Sequence, residues 1–237
     1  MFYFDFIEGK KVLKSDLLSD VEHFFTTRDL CIYSKIEDMK NNREKVERYI
    51  NQKLAMCHPV HGIDIEKVID GKYFYKNVDG LIIENKGACA LNFGDCTPLI
   101  FYVKNIAMIS HAGWRGTALC MAKESVRKLT IEYNVRAEDV KVAIGPTICF
   151  DCYKVGEEVY ASLSETIKKT KDLFKIENGE YFVDLKGINK QQLIECGVLG
   201  KNIDVCPYCT ACGEKLFYSY RYENKTGYRH SAVIKLS

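Results

Sequence analysis

GDCTPLIFYVKNIAMISHAGWRGT, residues 94–117, sets two apolar runs on either side of Lys104-Asn105, with a cysteine before the first run and a histidine after the second. Runs of this length, rich in β-branched and aromatic residues, read as strands, and a two-residue connection reads as a hairpin turn. In that register Val103 pairs with Ile106, and counting outward places His111 opposite Pro98. Cys96 lies two residues beyond Pro98, so it shares a face with His111 as a diagonal neighbour, roughly 7–8 Å away between Cα positions. Side chains can close that gap around a metal ion.

The plain alternative is a buried thiol beside a strand-end histidine, and the neighbouring residues weigh against it. After His111 comes AGWRGT (112–117), where two glycines flank a Trp-Arg pair as the chain passes from strand to helix. Such a turn lets a ligand approach the backbone, and the N–H groups of a helix start with Arg115 alongside suit an anion. Zinc favours Cys and His donors, and a catalytic zinc keeps three protein ligands and one open position. With Cys96 and His111 as two of them, the third must come from His23, His58, His61 or His230. His61, in CHPVHGIDIEKV (57–68), has a glycine beside it and strand-like residues after it, which suits a sheet edge. His58, three residues earlier, would point to the opposite face of an extended segment.

With 237 residues and 47% apolar composition the chain can bury a substantial core, and no Pro/Gly/Ser-rich linker or repeat divides it. One domain over 1–237 is the expectation. The 34 basic and 32 acidic residues nearly balance, which argues against nucleic acid or an anionic membrane as a main partner. MFYFDFIEGKK (1–11) has no basic n-region, and no apolar stretch reaches the ~20 residues of a membrane span, so a soluble, cytoplasmic protein is expected.

Helical spacing appears from near Gly116, with Leu119, Ala122, Val126, Leu129 and Tyr133 as a core-facing stripe. It appears again after YKVGEEV (153–159), with Val159 and Leu163, and in GINKQQLIEC (187–196), which Gly197 stops. A fourth helix is expected in KIEDMKNNREKVERYINQKL (35–54). Strand-like runs occupy 79–83, 88–93, 97–103, 106–110, 139–144, 202–206, 216–222 and 228–236. The fold class is α/β in the α+β sense, a layered α/β sandwich with mixed, largely antiparallel sheets.

FYSYRY (217–222) and Trp114, the single tryptophan, are candidates for an aromatic wall. On a strand, Tyr218, Tyr220 and Tyr222 would share one face and Phe217, Ser219 and Arg221 the other, so one set alone could face a site. Arg221 has the stronger functional case, because an arginine amid aromatics is costly to bury without an anionic partner. Eleven cysteines, an odd number in a chain too large to need disulfide staples, read mostly as reduced core thiols. CPYCTAC (Cys206, Cys209, Cys212) and CFDC (Cys149, Cys152) nevertheless carry metal-ligand spacing that admits a second, structural zinc or an iron–sulfur centre.

VHG (60–62), DGLI (79–82), GDCTPLI (94–100), HAGWRGT (111–117), AIGPTIC (143–149), CYKVGEEV (152–159) and FYSYR…TG (217–227) occur in the order found in the YfiH family. The chain resembles this family, also called multicopper polyphenol oxidoreductase laccase-like proteins, from about residue 20 onward. The resemblance implies one α/β sandwich domain with a His-Cys-His metal site, carried here by His61, Cys96 and His111. It also implies activity on purine nucleosides: phosphorolysis of adenosine, inosine and methylthioadenosine, and deamination of adenosine. Three departures stand out. Pro59 replaces a glutamine, Gly94 replaces an alanine, and a terminal TGR reads TGYRH, shifting the arginine to Arg229. In the family a Cys-Thr pair stands where this chain has Cys209-Thr210, and the other cysteines of the two motifs are variable thiols.

Zinc and inorganic phosphate are thus the expected cofactor and co-substrate, with copper the alternative. Water on zinc has its pKa lowered to about 7 and suits attack at C6 of adenine, whereas phosphorolysis needs phosphate held by Arg115 and the GWRGT amides. Asp95 is the candidate general acid or base, against the equally plain role of a turn carboxylate accepting N–H groups. The H-x-E…P-C-x-x-C signature of cytidine-type deaminases is absent. A copper polyphenol oxidase is the second reading, but a multicopper mechanism asks for more than five histidines. The third reading is a zinc-containing binding or peptidoglycan-precursor editing factor.

Overall fold

The computed structural model describes residues 1–33, 37–213 and 215–237, with the side chains of 37–39 left aside. In chain order the strands are β1 (Phe2–Ile7), β2 (Lys10–Ser15), β3 (Glu22–Thr26), β4 (Ala55–His58), β5 (Ile65–Lys67), β6 (Phe74–Lys76), β7 (Gly80–Glu84) and β8 (Gly87–Phe93). They continue as β9 (Thr97–Val103), β10 (Ile106–Ala112), β11 (Lys141–Ile144), β12 (Lys154–Val155), β13 (Phe174–Glu177), β14 (Glu180–Val183), β15 (Ile203–Val205) and β16 (His230–Leu236). The α-helices are α1 (Glu37–Tyr49), α2 (Trp114–Ala118), α3 (Met121–Glu132), α4 (Glu157–Ser164) and α5 (Leu185–Glu195).

The hairpin quoted at the outset forms in the expected register, with Val103 opposite Ile106 and His111 opposite Pro98. Its strands lie at the middle of a six-stranded sheet, β15-β11-β9-β10-β7-β5, where burial on both faces explains the unbroken apolar runs. A seven-stranded sheet, β1-β2-β3-β16-β8-β4-β6, packs against one face, with Phe25, Leu91, Phe93 and Ile234 meeting Ile83, Ile100, Ala107 and Ile109. Each of the buried Phe, Leu and Ile side chains among these contributes roughly 1.5–3 kcal/mol. Val46 of α1 and Ile50 just after it cover the outer face of the larger sheet, while Val126 and Leu129 of α3 and Leu193 of α5 cover that of the smaller. The layers run helix, sheet, sheet, helix. Both sheets are mixed and mainly antiparallel, as expected.

α4 buries Val159 and Leu163 as anticipated, and α5 is capped by Asp184, whose Oδ1 accepts the Gly187 N–H at 3.0 Å. Gly197 follows α5 at φ 94°, the left-handed conformation that stops a helix. Of the expected helix at 35–54, positions 35 and 36 lie outside the described residues and α1 supplies the rest up to Tyr49.

Two expectations are corrected. The helix expected from Gly116 is two helices, broken where Cys120 turns left-handed at φ 63°; Leu119 sits at the break, 56% exposed, while Ala122, Val126 and Leu129 are buried. Residues 216–222 form no strand but turn irregularly, with Phe217 and Ser219 buried and Tyr220 and Tyr222 outside. A third sheet, β12-β14-β13, and the hairpin of β1 and β2 went unanticipated, although the Glu8-Gly9 connection, at φ 46° and 75°, is a recognisable tight turn.

Candidate active site

His111 is the last residue but one of β10, Cys96 precedes β9, and His61 sits in the loop after β4. Their donor atoms lie within 4.8 Å of one another, and the two imidazole rings meet edge to face with centroids 5.0 Å apart. His61 is reached not along a strand but through a loop, in which it takes φ 65°, a left-handed conformation that costs a non-glycine residue about 1–3 kcal/mol. The parity argument that set His58 aside therefore does not apply. His58 borders the same cavity, outside the donor cluster. Gly113 is needed here for its missing side chain, since a Cβ would stand 3.0 Å from both Cys96 Sγ and His61 Cδ2.

What holds the loop is Asp79, a fully buried carboxylate that the sequence reading passed over. It accepts the N–H groups of His61 at 2.8 Å, Gly62 at 2.8 Å and Val60 at 3.2 Å. Its Oδ1 also lies 3.3 Å from His111 Nδ1, close but off the axis of a well-formed hydrogen bond. A carboxylate against one ring nitrogen fixes the imidazole and leaves the other nitrogen for a metal, the usual outer partner of a ligating histidine. The signal was available in the β7–β10 pairing. Gly80 opposite Ser110 puts Asp79 beside His111, but these strands are not chain neighbours and no turn fixes their register.

Burial pushes the Cys96 thiol up, yet His111 and His61 beside it prevail and bring it down to about 6. Burial likewise works against a charged His111, but Cys96 and Asp79 raise it to about 9. Burial also opposes ionisation of Asp79, and His111 with the loop amides holds it below the ordinary carboxylate range. A thiolate and two imidazoles clustered at this spacing are the donor set that suits a thiophilic divalent ion with an open position.

The cluster opens into a cavity of about 510 Å³ bordered by His61, Asp95, Cys96, His111, Trp114, Arg115 and Arg221, whereas Tyr218 and Tyr222 of the proposed aromatic wall do not line it. Arg115 lies over the Trp114 ring at 4.3 Å, and Arg221 over Tyr153 at 5.3 Å. Arg229 joins them, over Tyr220 at 5.3 Å. Among the described residues none of these three arginines has a carboxylate within ion-pair distance. Because α2 is only five residues long, the charge offered to an anion comes from the guanidinium groups rather than a helix terminus.

Asp95 is buried at φ 79°, with Oδ1 accepting from the Thr210 hydroxyl at 2.6 Å and Oδ2 from the Arg221 N–H at 2.7 Å. Both oxygens are thus engaged with residues distant in the chain rather than with the N–H groups of their own turn. Tyr220 and Arg221, placed on opposite faces by the strand assumption, both reach the cavity because the chain turns there. Tyr153 was missed as a lining residue, Tyr220 was offered only within one of two alternative faces, and Arg229 was noted only as a departure from the family pattern. Two departures from the family pattern touch each other: a Cβ on Gly94 would stand 3.0 Å from Arg229 Cδ, so the small residue makes room for the displaced arginine.

Fold and site define a layered α/β protein with a candidate His-Cys-His metal centre at the rim of a cationic, aromatic-lined cavity. The chain belongs to the family described as multi-copper polyphenol oxidoreductase laccase, whose sequence model matches residues 31–237. It is 35% identical over 214 residues to a purine nucleoside phosphorylase, YlmD, of Geobacillus stearothermophilus, covering 83% of this chain and 78% of that one. An adenosine deaminase, RL5, of an unknown prokaryotic organism is 31% identical over 152 residues, 62% of this chain and 57% of the relative. The crystal structure of the hypothetical protein YfiH of Bacillus licheniformis superposes with a TM-score of 0.91 at 28% identity, covering 99% of each chain. No helix among the described residues is long and apolar enough to cross a membrane.

Proposed function

We propose that the protein is a zinc-dependent purine nucleoside phosphorylase, acting on adenosine, inosine and methylthioadenosine. The observation that carries this reading is the set of three arginines, Arg115, Arg221 and Arg229, lining the cavity beside the donor cluster without carboxylate partners. Uncompensated guanidinium groups in a concave site call for an anionic ligand, and phosphate is the anion that phosphorolysis consumes.

His61, Cys96 and His111 would hold the zinc, which when bound supplies a Lewis acid with an open coordination position. Arg115 and Arg221 bind phosphate and aim one oxygen at the anomeric carbon. As the new C–O bond forms, the glycosidic C–N bond breaks, its electron pair goes to the purine, and the base takes up the proton that the attacking hydrogen phosphate gives up. Trp114, Tyr153 and Tyr220 offer aromatic surface to the base and keep water from the reacting carbon. Asp95 we assign as a positioning carboxylate that holds the Arg221 backbone through its N–H. Asp79 holds His111 and the His61 loop in place.

Deamination of adenosine is the second reading, supported by the relative named for that activity. It needs no bound anion, so the arginines favour phosphorolysis. A multicopper oxidase finds less support: His23 is engaged with the Ser15 N–H and the Val21 carbonyl, His230 is packed between aromatic rings, and one histidine-containing cluster occurs among the described residues.

The test is chromatography of adenosine and inosine incubated with and without phosphate. Free adenine and hypoxanthine should appear only with phosphate, and Arg115→Ala should raise the KM for phosphate about tenfold or more, as expected for one lost charge-assisted contact. Inosine formed from adenosine regardless of phosphate would favour deamination. No turnover of either nucleoside by zinc-loaded protein would end the nucleoside reading.

A further inference from the structure

Cys149 and Cys152 leave β11 in one loop, and Cys209 and Cys212 follow β15 in another. The fold brings both C-x-x-C turns together: the four sulfur atoms lie within 4.8 Å of one another, with Cys149 Sγ and Cys212 Sγ 3.7 Å apart. A tetrahedral ion with metal–sulfur bonds of about 2.3 Å spaces its sulfurs about 3.8 Å apart. The Cys209 sulfur accepts three backbone N–H groups, from Cys149 at 3.2 Å, Ala211 at 3.3 Å and Cys212 at 3.4 Å. A neutral thiol has little use for three donors aimed at it, whereas a thiolate ligand does. Cys206, the remaining cysteine of the CPYCTAC motif, lies apart in the core between the sheets.

We propose that Cys149, Cys152, Cys209 and Cys212 bind one zinc ion as a tetrathiolate, a structural site separate from the His-Cys-His centre. The inference stands on these four residues and does not depend on the nucleoside reading. Four thiolates leave no open position, so the ion performs no chemistry on substrate. Each cysteine gives up its proton on binding, and no electron transfer is involved. A four-iron cluster would hold the sulfurs farther apart than a single ion does.

The placement says what the ion does. A Thr147–Cys209 bridge and the Thr210 N–H to the Thr147 carbonyl, at 3.2 Å, join the two loops beside it. From there Thr210 reaches Asp95, Tyr222 donates to the Cys152 carbonyl at 3.1 Å, and Arg221 Nη1 donates to the Lys154 carbonyl at 2.7 Å. Tyr153 and Arg221, both lining the cavity, are thereby held beside the two loops that the ion joins.

The test is zinc content by elemental analysis of protein purified without added metal. About two zinc ions per chain are expected, falling to about one in His61→Ala/His111→Ala and to about one in Cys149→Ser/Cys212→Ser. The histidine variant, which keeps all four cysteines, is then stripped of metal under reducing conditions and titrated with Co2+. An intense thiolate-to-cobalt absorption saturating at one equivalent is expected, even should the cysteine variant fail to fold. Absence of that absorption overturns the proposal. So does undiminished zinc in a folded cysteine variant, or a purified chain whose four cysteines prove to be disulfides. Iron in place of zinc, lost with the same cysteines, overturns the identity of the ion.

Discussion

The two clusters differ in donors, in support and in exposure to the cavity. His61, Cys96 and His111 are mixed donors, two of them at the ends of a central hairpin, and they open onto a cavity. The four cysteines are alike and sit on loops near the surface, with Cys209 buried, Cys149 and Cys152 half-buried and Cys212 exposed. A site that performs chemistry needs positions fixed by the scaffold and a vacant coordination position; a site that holds loops together needs neither. The sheet positions the first cluster, whereas the second positions the loops.

The largest expected effect separates them outright. His111→Ala should empty the three-residue centre and lower turnover by about a thousandfold or more, while leaving the tetrathiolate zinc and the fold in place. Zinc analysis paired with nucleoside assays checks it. Full activity in a metal-free centre would sink the metal mechanism. Loss of both ions together would show that the clusters are not independent.

Acid should remove both at once. His230 on β16 lies between Phe93 and Phe217, and neither ring nitrogen makes a well-formed hydrogen bond. Burial, with help from Arg229 and Arg28 and against the nearby Pro146 carbonyl, lowers it to about 3. The folded form thus excludes the proton that the unfolded chain binds near pH 6.5, so this contribution is whole above pH 6.5 and is lost as pH falls toward 3. The loss is on the order of several kcal/mol, a large part of a typical domain's stability. Urea midpoints from pH 7 to 4 should fall steeply in the wild type and less in His230→Phe, which keeps the ring packing without the titration. Equal slopes would remove His230 as the cause.

The same contrast explains what could be read from the chain. The Cys96–His111 juxtaposition was legible because a two-residue turn fixes the hairpin register and a period of two then places every side chain. α4 and α5 were legible from spacing and their stops. Asp79 was not, since β7 reaches β10 through other strands and no local signal sets their register. Residues 216–222 alternate like a strand yet bury Phe217 and Ser219 from an irregular turn, because Asp95 and Glu223 satisfy the N–H groups of Arg221 and Ser219 that a ladder would have used. The break at Cys120 was invisible for a related reason: helical spacing runs through a single left-handed residue undisturbed. The four cysteines carried ligand spacing in two separate pairs, and only the adjacency of β11 and β15, parallel neighbours far apart in sequence, unites them.

A smaller effect should touch one cluster alone. Asp79→Asn keeps the shape but removes the charge facing His111 and weakens the grip on the loop amides of residues 60–62. Metal affinity of the His-Cys-His centre should fall about 10–100-fold, the usual cost of losing an outer-shell partner. Competition with a zinc chelator should reveal one site weakened and the tetrathiolate unmoved. Equal weakening of both would mean that Asp79 acts through the fold rather than through His111.

The smallest expected effect leaves both metals alone and tests the cavity onto which the His-Cys-His centre opens. Gly94→Ala would bring a Cβ to 3.0 Å from Arg229 Cδ and 3.2 Å from its Nε. An arginine side chain swings aside cheaply, so the fold should tolerate the change, and the cost should fall on the guanidinium's place over Tyr220. If Arg229 helps hold phosphate, the KM for phosphate should rise about three- to tenfold with kcat within twofold, because a contact made equally in ground and transition states is lost. An unchanged KM would assign the anion to Arg115 and Arg221 alone. A change in kcat without one in KM would place Arg229 against the reacting bond. Zinc content should stay constant in every case, because Gly94 approaches Arg229 on the cavity side and neither cluster draws a ligand from that residue.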